Sequence, residues 1–162
     1  MNLRGPCVGF VSLFGLIACS SPMEPPAKVD VGGTTLSLSV TASGNEIVGS
    51  SPVTFTIRLL NEGAQSVTLH FGSGCQISPY IRASNGAVVL PSGGGWGCTT
   101  ALTQLSLAAG ESVVREYVWT GSTEFQSEMP LRPLPKGRYF FSAEVPSGEA
   151  MLRSRAVEVV LR

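Results

Sequence analysis

Hydrophobic and polar residues alternate along most of this chain, from residue 34 onward. The segments "TLSLSVTAS" and "PVTFTIRLLN" each place aliphatic or aromatic residues on one face and mostly serine, threonine or arginine on the other. A period of two is typical of strands that bury one face and expose the other. Both segments are therefore predicted to be strands that border a hydrophobic core.

Further segments have the composition of strands and are separated by turn formers at intervals of about ten residues. The strongest turn signal is Ser84-Asn85-Gly86, because Asn-Gly favours tight hairpins. We find no convincing helical period, so residues 34–162 are predicted to form one all-β, antiparallel β-sandwich of eight or nine strands. These further strand segments are "VTLHF", "ISPYIRA", "GAVVLP", "LTQLSLA", "ESVVREYVW", "GRYFFSAEV" and "SRAVEVVL".

The N-terminus does not follow this alternation. Residues 8–17 form an apolar run preceded by Arg4, and small Ala18 follows. A membrane-spanning helix needs about 20 apolar residues, so this run is too short to span a bilayer. A buried N-terminal helix or strand is the alternative, which the Pro-rich stretch that follows disfavours. Residues 1–18 are therefore predicted to be an export signal.

The end of this run has a more specific pattern. Leu16-Ile17-Ala18-Cys19 resembles the bacterial lipobox. The resemblance implies that cleavage follows Ala18, that Cys19 receives a diacylglyceryl thioether, and that its new amine is acylated, for example with palmitate. Two or more acyl chains give stable membrane anchoring, since each buried methylene contributes about 0.8 kcal/mol.

Residues 19–33 are accordingly predicted to be a lipidated tether, which is short and rich in proline and glycine. A first edge strand through residues 29–31 is the alternative. Ser20, rather than an acidic residue, follows the cysteine, and this resembles the default for outer-membrane sorting in a two-membrane envelope. The expected location is the bacterial cell envelope, and its outer membrane if the organism has two.

Composition and charge narrow the possible partners. Charged residues are 14% of the chain, whereas 19 glycines and 11 prolines suit short strands joined by loops. The formal net charge is zero, with 11 basic and 11 acidic residues and no basic run. Nucleic-acid binding is therefore not expected.

The four cysteines have different predicted fates. Cys7 leaves with the signal and Cys19 is lipidated, so Cys75 and Cys98 remain as a pair in an oxidising compartment. Such a pair predicts a disulfide, which would stabilise the fold by about 3 kcal/mol if its loop has about 24 residues. The rival is a metal site, but zinc needs four ligands and His70 is the sole histidine. No metal or cofactor is expected.

The order of several segments resembles one known family. The segments "VTFTIRLLNEGAQSVTLHFGSG", "YIRASNGAVV", "LSLAAGESVVREYVWTG" and "LPKGRYFFSAEV" follow one another between residues 53 and 145. Their order and spacing resemble the BsuPI domain, which is named for an intracellular proteinase inhibitor. The resemblance implies an immunoglobulin-like sandwich and proteinase-inhibitor ancestry. Cys75, Cys98 and the long segment "STEFQSEMPLRPLPKG" depart from the family pattern, and no reactive-site residue is carried over.

Catalysis finds little support among the residues. His70 is predicted to face solvent on a strand, and Asp30, the only aspartate, lies in the predicted tether. Glu111 and Glu116 are five residues apart and would point to opposite faces of one strand. The chain is therefore not expected to be an enzyme, since no nucleophile and base are brought together by the sequence.

Two loops contain candidates for partner binding. Trp96 lies in the glycine-rich segment "PSGGGWGC", where an exposed indole would be an interface anchor. The alternative is that Trp96 folds down and closes one end of the sandwich. Phe125, Met129 and Leu131 lie among prolines in residues 121–136, which would present an extended segment to a partner or would simply cross between sheets.

Together these features predict a lipid-anchored protein of the cell envelope that acts as a non-catalytic protein-binding module. The expected partners are the membrane and another envelope protein, with a protease as one candidate. Two alternatives stay open, a proteinase inhibitor and a structural or assembly accessory of the envelope.

Overall fold

The computed structural model describes residues 26–49, 51–125 and 132–162, and twelve strands lie within these ranges. Nine of them coincide with the segments predicted from alternation. No helix in the described ranges is long and apolar enough to cross a membrane. The strands are β1 (Ala27–Val31), β2 (Thr34–Ala42), β3 (Glu46–Ile47), β4 (Val53–Asn61), β5 (Val67–Phe71), β6 (Ser78–Ala83), β7 (Val88–Leu90), β8 (Thr103–Leu107), β9 (Ser112–Trp119), β10 (Gly137–Pro146), β11 (Met151–Arg153) and β12 (Val157–Leu161).

The strands form two main sheets and one separate pair. The first sheet has the order β1-β2-β4-β9, and the second has the order β3-β12-β10-β6-β7, with β11 also paired to β10. Strands β5 and β8 pair with each other. Neighbouring strands are antiparallel, except that β3 runs parallel to β12. The architecture is an immunoglobulin-like antiparallel β-sandwich, as predicted.

The core lies between the inner faces of the two main sheets. Along β4 the residues predicted to point inward are buried, and Phe55 and Ile57 are fully inaccessible. The ring of Phe55 stacks on that of Phe141 in β10, with centroids 3.9 Å apart. Trp119 at the end of β9 is also buried, 1% exposed, and its Nε1 donates a hydrogen bond to Ser122 O at 2.7 Å. Aromatic contacts thus join the first sheet to the second.

Part of the predicted tether is a strand. Residues 27–31 form β1, which pairs antiparallel with β2 and places Val29 opposite Leu36. Val31 is buried, 7% exposed. The alternative of a first edge strand therefore holds for this stretch, and its backbone gains ladder hydrogen bonds that a free tether would leave to water. Residues 1–25, which include Cys19, lie outside the described ranges.

Strands β3 and β11 were not predicted, and the predicted number of strands was correspondingly low. They have two and three residues, respectively. A period of two needs four or more residues to be recognised, so segments this short show no pattern. Both are additions to the rim of the second sheet.

Asn61 at the end of β4 connects two turns. Its side chain is fully buried, and Nδ2 donates to Gln65 O at 2.7 Å, Leu107 O at 3.2 Å and Ala108 O at 3.0 Å. Its Oδ1 accepts a hydrogen bond from Gly63 N at 2.9 Å. One amide thereby fixes the turn between β4 and β5 against the turn between β8 and β9.

Candidate functional site

A disulfide closes the open end of the β5–β8 pair. Cys75 and Cys98 are bonded, with Cα atoms 5.5 Å apart, and thus join the segment after β5 to the loop before β8. Next to the bond, Gly74 N donates to Thr99 O at 3.0 Å. A Cβ at Gly74 would overlap the Thr99 hydroxyl, so any larger residue there would force the Thr99 side chain to rotate. The structure therefore pairs the two cysteines that the sequence predicts to pair.

Trp96 folds back onto the sandwich. Its Nε1 donates to Pro79 O at 2.9 Å, and its ring stacks on Phe125 with centroids 6.3 Å apart and planes 14° apart. The indole is half-buried and packs against the core. The structure thus favours the alternative in which Trp96 folds down onto the sandwich over the prediction of an exposed indole, because both the N–H and the ring of Trp96 have partners.

Phe125 connects Trp96 to the core. Its ring centroid lies 5.2 Å from that of Tyr117 and 5.9 Å from that of Phe141, the latter in an edge-on arrangement. We call Trp96, Tyr117 and Phe125 the aromatic cluster. Burial raises the pKa of the Tyr117 hydroxyl, and the nearby charge of Arg115 acts in the opposite direction. The cluster is thus an extension of the core that reaches the protein surface.

A groove of about 280 Å³ lies beside the aromatic cluster. It is bounded by the segment that enters β6, the Trp96 loop and the inner side of β9. Its lining residues are Gly74, Cys75, Gln76, Ile77, Ser78, Pro79, Trp96, Arg115 and Tyr117.

Arg115 is the charged side chain of this groove. Within the part of the chain that the structure describes, its guanidinium has no carboxylate partner, and Nη1 donates to Val114 O at 3.1 Å. The groove therefore combines a cation with two aromatic side chains, Trp96 and Tyr117. Such a surface suits an apolar ligand group next to an anionic one.

The candidate binding residues are brought together only in part. Trp96 and Phe125 meet in the aromatic cluster, whereas Met129 and Leu131 lie outside the described residues, as does Cys19. Neither Tyr117 nor Arg115 was among the binding residues predicted from the sequence. The available signal was the charged pair Arg-Glu in the middle of "SVVREYVW", which is unusual for a strand paired on both sides.

His70 is exposed, as predicted, and it is paired with Glu149. Its Nδ1 lies 2.6 Å from Glu149 Oε1, and its backbone N donates to Glu149 Oε2 at 3.0 Å. These two contacts, the backbone one first, lower the pKa of the Glu149 carboxyl to about 2. In the described ranges no three His, Cys, Asp or Glu side chains are grouped so that they would hold a metal ion. The pair joins β5 to the turn before β11.

Fold and groove together define an immunoglobulin-like sandwich protein with a disulfide-tethered surface loop. The sequence matches the BsuPI family, described as intracellular proteinase inhibitor, over residues 35–150. This match covers most of the sandwich, so the chain belongs to the BsuPI family. A comparison with the curated proteins gives no significant match.

Solved structures with similar folds are distant. A β-glucosidase of Erythrobacter marinus is 14% identical with a TM-score of 0.45, over 80% of this chain and 16% of that one. The CARDB domain of a Pyrococcus furiosus protein, in complex with di-metal ions, is 14% identical with a TM-score of 0.44, over 80% and 89% of the two chains. The C-terminal domain of wzt is 14% identical with a TM-score of 0.45, over 86% and 82%. The chain spans about a sixth of the length of the β-glucosidase. The fold is assigned from the strand pairing within this chain.

Proposed function

We propose that this protein is a membrane-anchored, non-catalytic member of the BsuPI family that binds a proteinase of the bacterial cell envelope. The observation that carries the proposal is the family match over residues 35–150, which runs from the second residue of β2 to the turn before β11. Membership of a proteinase inhibitor family supports a binding role rather than a catalytic one.

The binding surface that the geometry favours is the groove with its aromatic cluster. Trp96 is held from three sides, by its hydrogen bond to Pro79, by the ring of Phe125 and by the nearby Cys75–Cys98 disulfide. A surface whose side chains are already fixed loses little conformational entropy on binding. Pre-organisation of this kind is what an inhibitor needs to remain bound to its target.

The proposed location rests on the N-terminal sequence. Residues 1–18 have the features of an export signal, and Cys19 ends a lipobox-like motif. The family description names an intracellular inhibitor, which concerns the family and not this chain. A disulfide between Cys75 and Cys98 supports an oxidising compartment, since such bonds are rare in the cytosol.

The proposed activity is tested by titrating the full-length protein, solubilised in detergent, against proteinases from the same envelope. Stoichiometric loss of proteolysis is expected, and Trp96→Ala should weaken inhibition at least tenfold with the fold unchanged. Crosslinking in intact cells, followed by mass spectrometry, identifies the partner. Recovery of assembly proteins alone, with no proteinase inhibited, would instead favour a structural accessory role.

The proposed anchor has its own test. Cys19→Ser should release the protein from the membrane fraction, because no thioether forms without the thiol. Cys7→Ser is the matched control, since Cys7 would be removed with the signal and should leave the protein in the membrane fraction. Persistent membrane association of the Cys19→Ser protein would overturn the lipid assignment.

A further inference from the structure

Strand β9 is an open edge of the first sheet. It is the last strand in the order β1-β2-β4-β9, and its eight residues make it longer than β1 at the opposite edge. Its middle is exposed, with Val114 46% accessible and Arg115 and Glu116 also exposed. An exposed edge strand presents unpaired backbone donors and acceptors, which are a template for another strand.

The direction of each backbone group in β9 follows from the ladder. Ser43 N donates to Thr54 O at 2.9 Å, so Thr54 directs its backbone groups toward the β2 side of β4. Along an antiparallel strand the backbone N–H and C=O groups of successive residues point alternately to one neighbour and the other. The backbone groups of Phe55 therefore point to β9 and bond with those of Tyr117, its partner in the register. The residues on either side of Tyr117 therefore point their N–H and C=O groups outward. This outer row consists of Ser112, Val114, Glu116 and Val118.

The outer row has few partners. Among the described residues, one hydrogen bond reaches the backbone groups of the outer row, from Arg115 Nη1 to Val114 O. Lys28 and Asp30 occupy the opposite edge, where each bonds a neighbouring side chain. Charged side chains on an edge strand disfavour pairing with a neutral strand. β9 also carries two, Arg115 and Glu116, but neither forms an ion pair among the described residues, so each is available to a charge of opposite sign on an incoming strand.

The groove lies directly inside this edge. The side chains of Arg115 and Tyr117 are on the inner face of β9, opposite Ile57 and Phe55. Both line the groove together with Trp96. A strand added to β9 would alternate its own side chains, so every second one would lie over the groove.

We propose that the outer edge of β9 binds an extended segment of a partner protein by strand addition, with a carboxylate of that segment paired to Arg115 and an apolar side chain two residues away packed against Trp96. Charge complementarity selects this occupant, because Arg115 is a cation without a carboxylate partner in the groove. The incoming strand takes over the Val114 carbonyl and releases the guanidinium for the carboxylate. This inference rests on the proposed function, in that the segment would belong to the bound proteinase.

The test uses a synthetic probe and the full-length protein in detergent. The probe is a capped eight-residue peptide in which threonine alternates with one phenylalanine, one glutamate and two valines, with the phenylalanine and the glutamate two residues apart. A twin peptide carries glutamine in place of glutamate. Fluorescence anisotropy of the labelled peptides should show saturable binding, several-fold tighter for the glutamate peptide. Absence of saturable binding up to millimolar protein would overturn the proposal.

Three protein variants, one of them a control, locate the site. Val114→Pro removes an outward N–H without removing a hydrogen bond to β4, and edge strands tolerate proline at such positions. It should weaken binding at least tenfold. Val48→Pro is the matched control, because Val48 is 59% exposed beyond the other sheet's edge strand β3, and it should bind normally. Arg115→Gln should abolish the preference for the glutamate peptide.

A third measurement leaves the protein unchanged. Two further probes carry methyl groups on alternate backbone nitrogens, one probe for each edge of the peptide strand. Only the probe methylated on the edge that faces β9 should lose binding, because only there are the N–H groups needed as hydrogen-bond donors. Equal binding to wild type and to folded Val114→Pro, or of both methylated probes, would overturn the strand-addition proposal. If Val114→Pro inhibits a proteinase as well as wild type does, the proposed function stands and this inference fails. If peptides bind as expected but no proteinase is inhibited, this inference stands and the proposed function fails.

Discussion

The buried amide of Asn61 should be among the most sensitive positions in the fold. Asn61→Ala removes four hydrogen bonds, of which the one to Leu107 O is buried and those to Gln65, Ala108 and Gly63 are part-buried. Each such bond contributes about 0.5–1.5 kcal/mol net, and buried groups left without partners cost more. Water can replace some of the part-buried bonds, so we expect a loss of about 2–4 kcal/mol.

Asn61→Asp separates hydrogen bonding from side-chain size. The substitution is isosteric, but a carboxylate would face three carbonyl oxygens that now accept from Nδ2. We expect a loss at neutral pH at least as large as that of Asn61→Ala. This loss should shrink on acidification, because the protonated acid can again donate one hydrogen bond.

Urea unfolding of the full chain, followed by tryptophan fluorescence, measures both effects. Asn45→Ala is the matched control, since Asn45 is exposed and makes no side-chain hydrogen bond within the described ranges. Its effect should stay below about 0.5 kcal/mol. If Asn61→Ala were no more destabilising than Asn45→Ala, the role assigned to the amide would be wrong.

Two further predictions concern the ion pair and the disulfide. Hydrogen bonds from His70 lower the pKa of the Glu149 carboxyl to about 2 in the folded protein, below its pKa in the unfolded chain. As the pH falls, protons therefore bind the unfolded chain first, and acid favours unfolding. The stability difference between wild type and Glu149→Gln should therefore be full above about pH 5 and vanish toward pH 2, and a difference that does not change with pH would contradict this. Removing the Cys75–Cys98 bond, by reduction or in the double serine variant, should cost about 3 kcal/mol, given its separation of 23 residues. Urea midpoints with and without reductant check this, and the double variant should not respond to reductant.

Alternation was sufficient to predict the inner strands. Leu36 and Leu38 in β2 and Phe55 in β4 are fully buried as expected, because each strand has one face on the core. The turn at Asn85-Gly86 also forms as predicted, with Gly86 at φ 85° and Asn85 Oδ1 accepting from Ala87 N. These features depend on neighbours along the chain, which the sequence displays directly.

Contacts between distant residues could not be predicted in this way. The partners of Asn61 lie up to 47 residues away, and His70 and Glu149 are 79 apart. The position of β9 at the edge of its sheet depends on the order of the strands, which the spacing of hydrophobic residues does not specify. Trp96 shows the same difficulty, since its position depends on Pro79 and Phe125 in other segments. The candidate site was therefore only partly visible in the sequence.

The edge strand β1 sets how far the sandwich can stand from its anchor. β1 begins at Ala27, eight residues after Cys19. A fully extended chain spans at most about 3.5 Å per residue, so with Cys19 anchored as proposed the sandwich begins within roughly 28 Å of the bilayer surface. Such confinement replaces a three-dimensional search with a two-dimensional one and favours partners held in the same membrane, since these meet the domain at a raised local concentration.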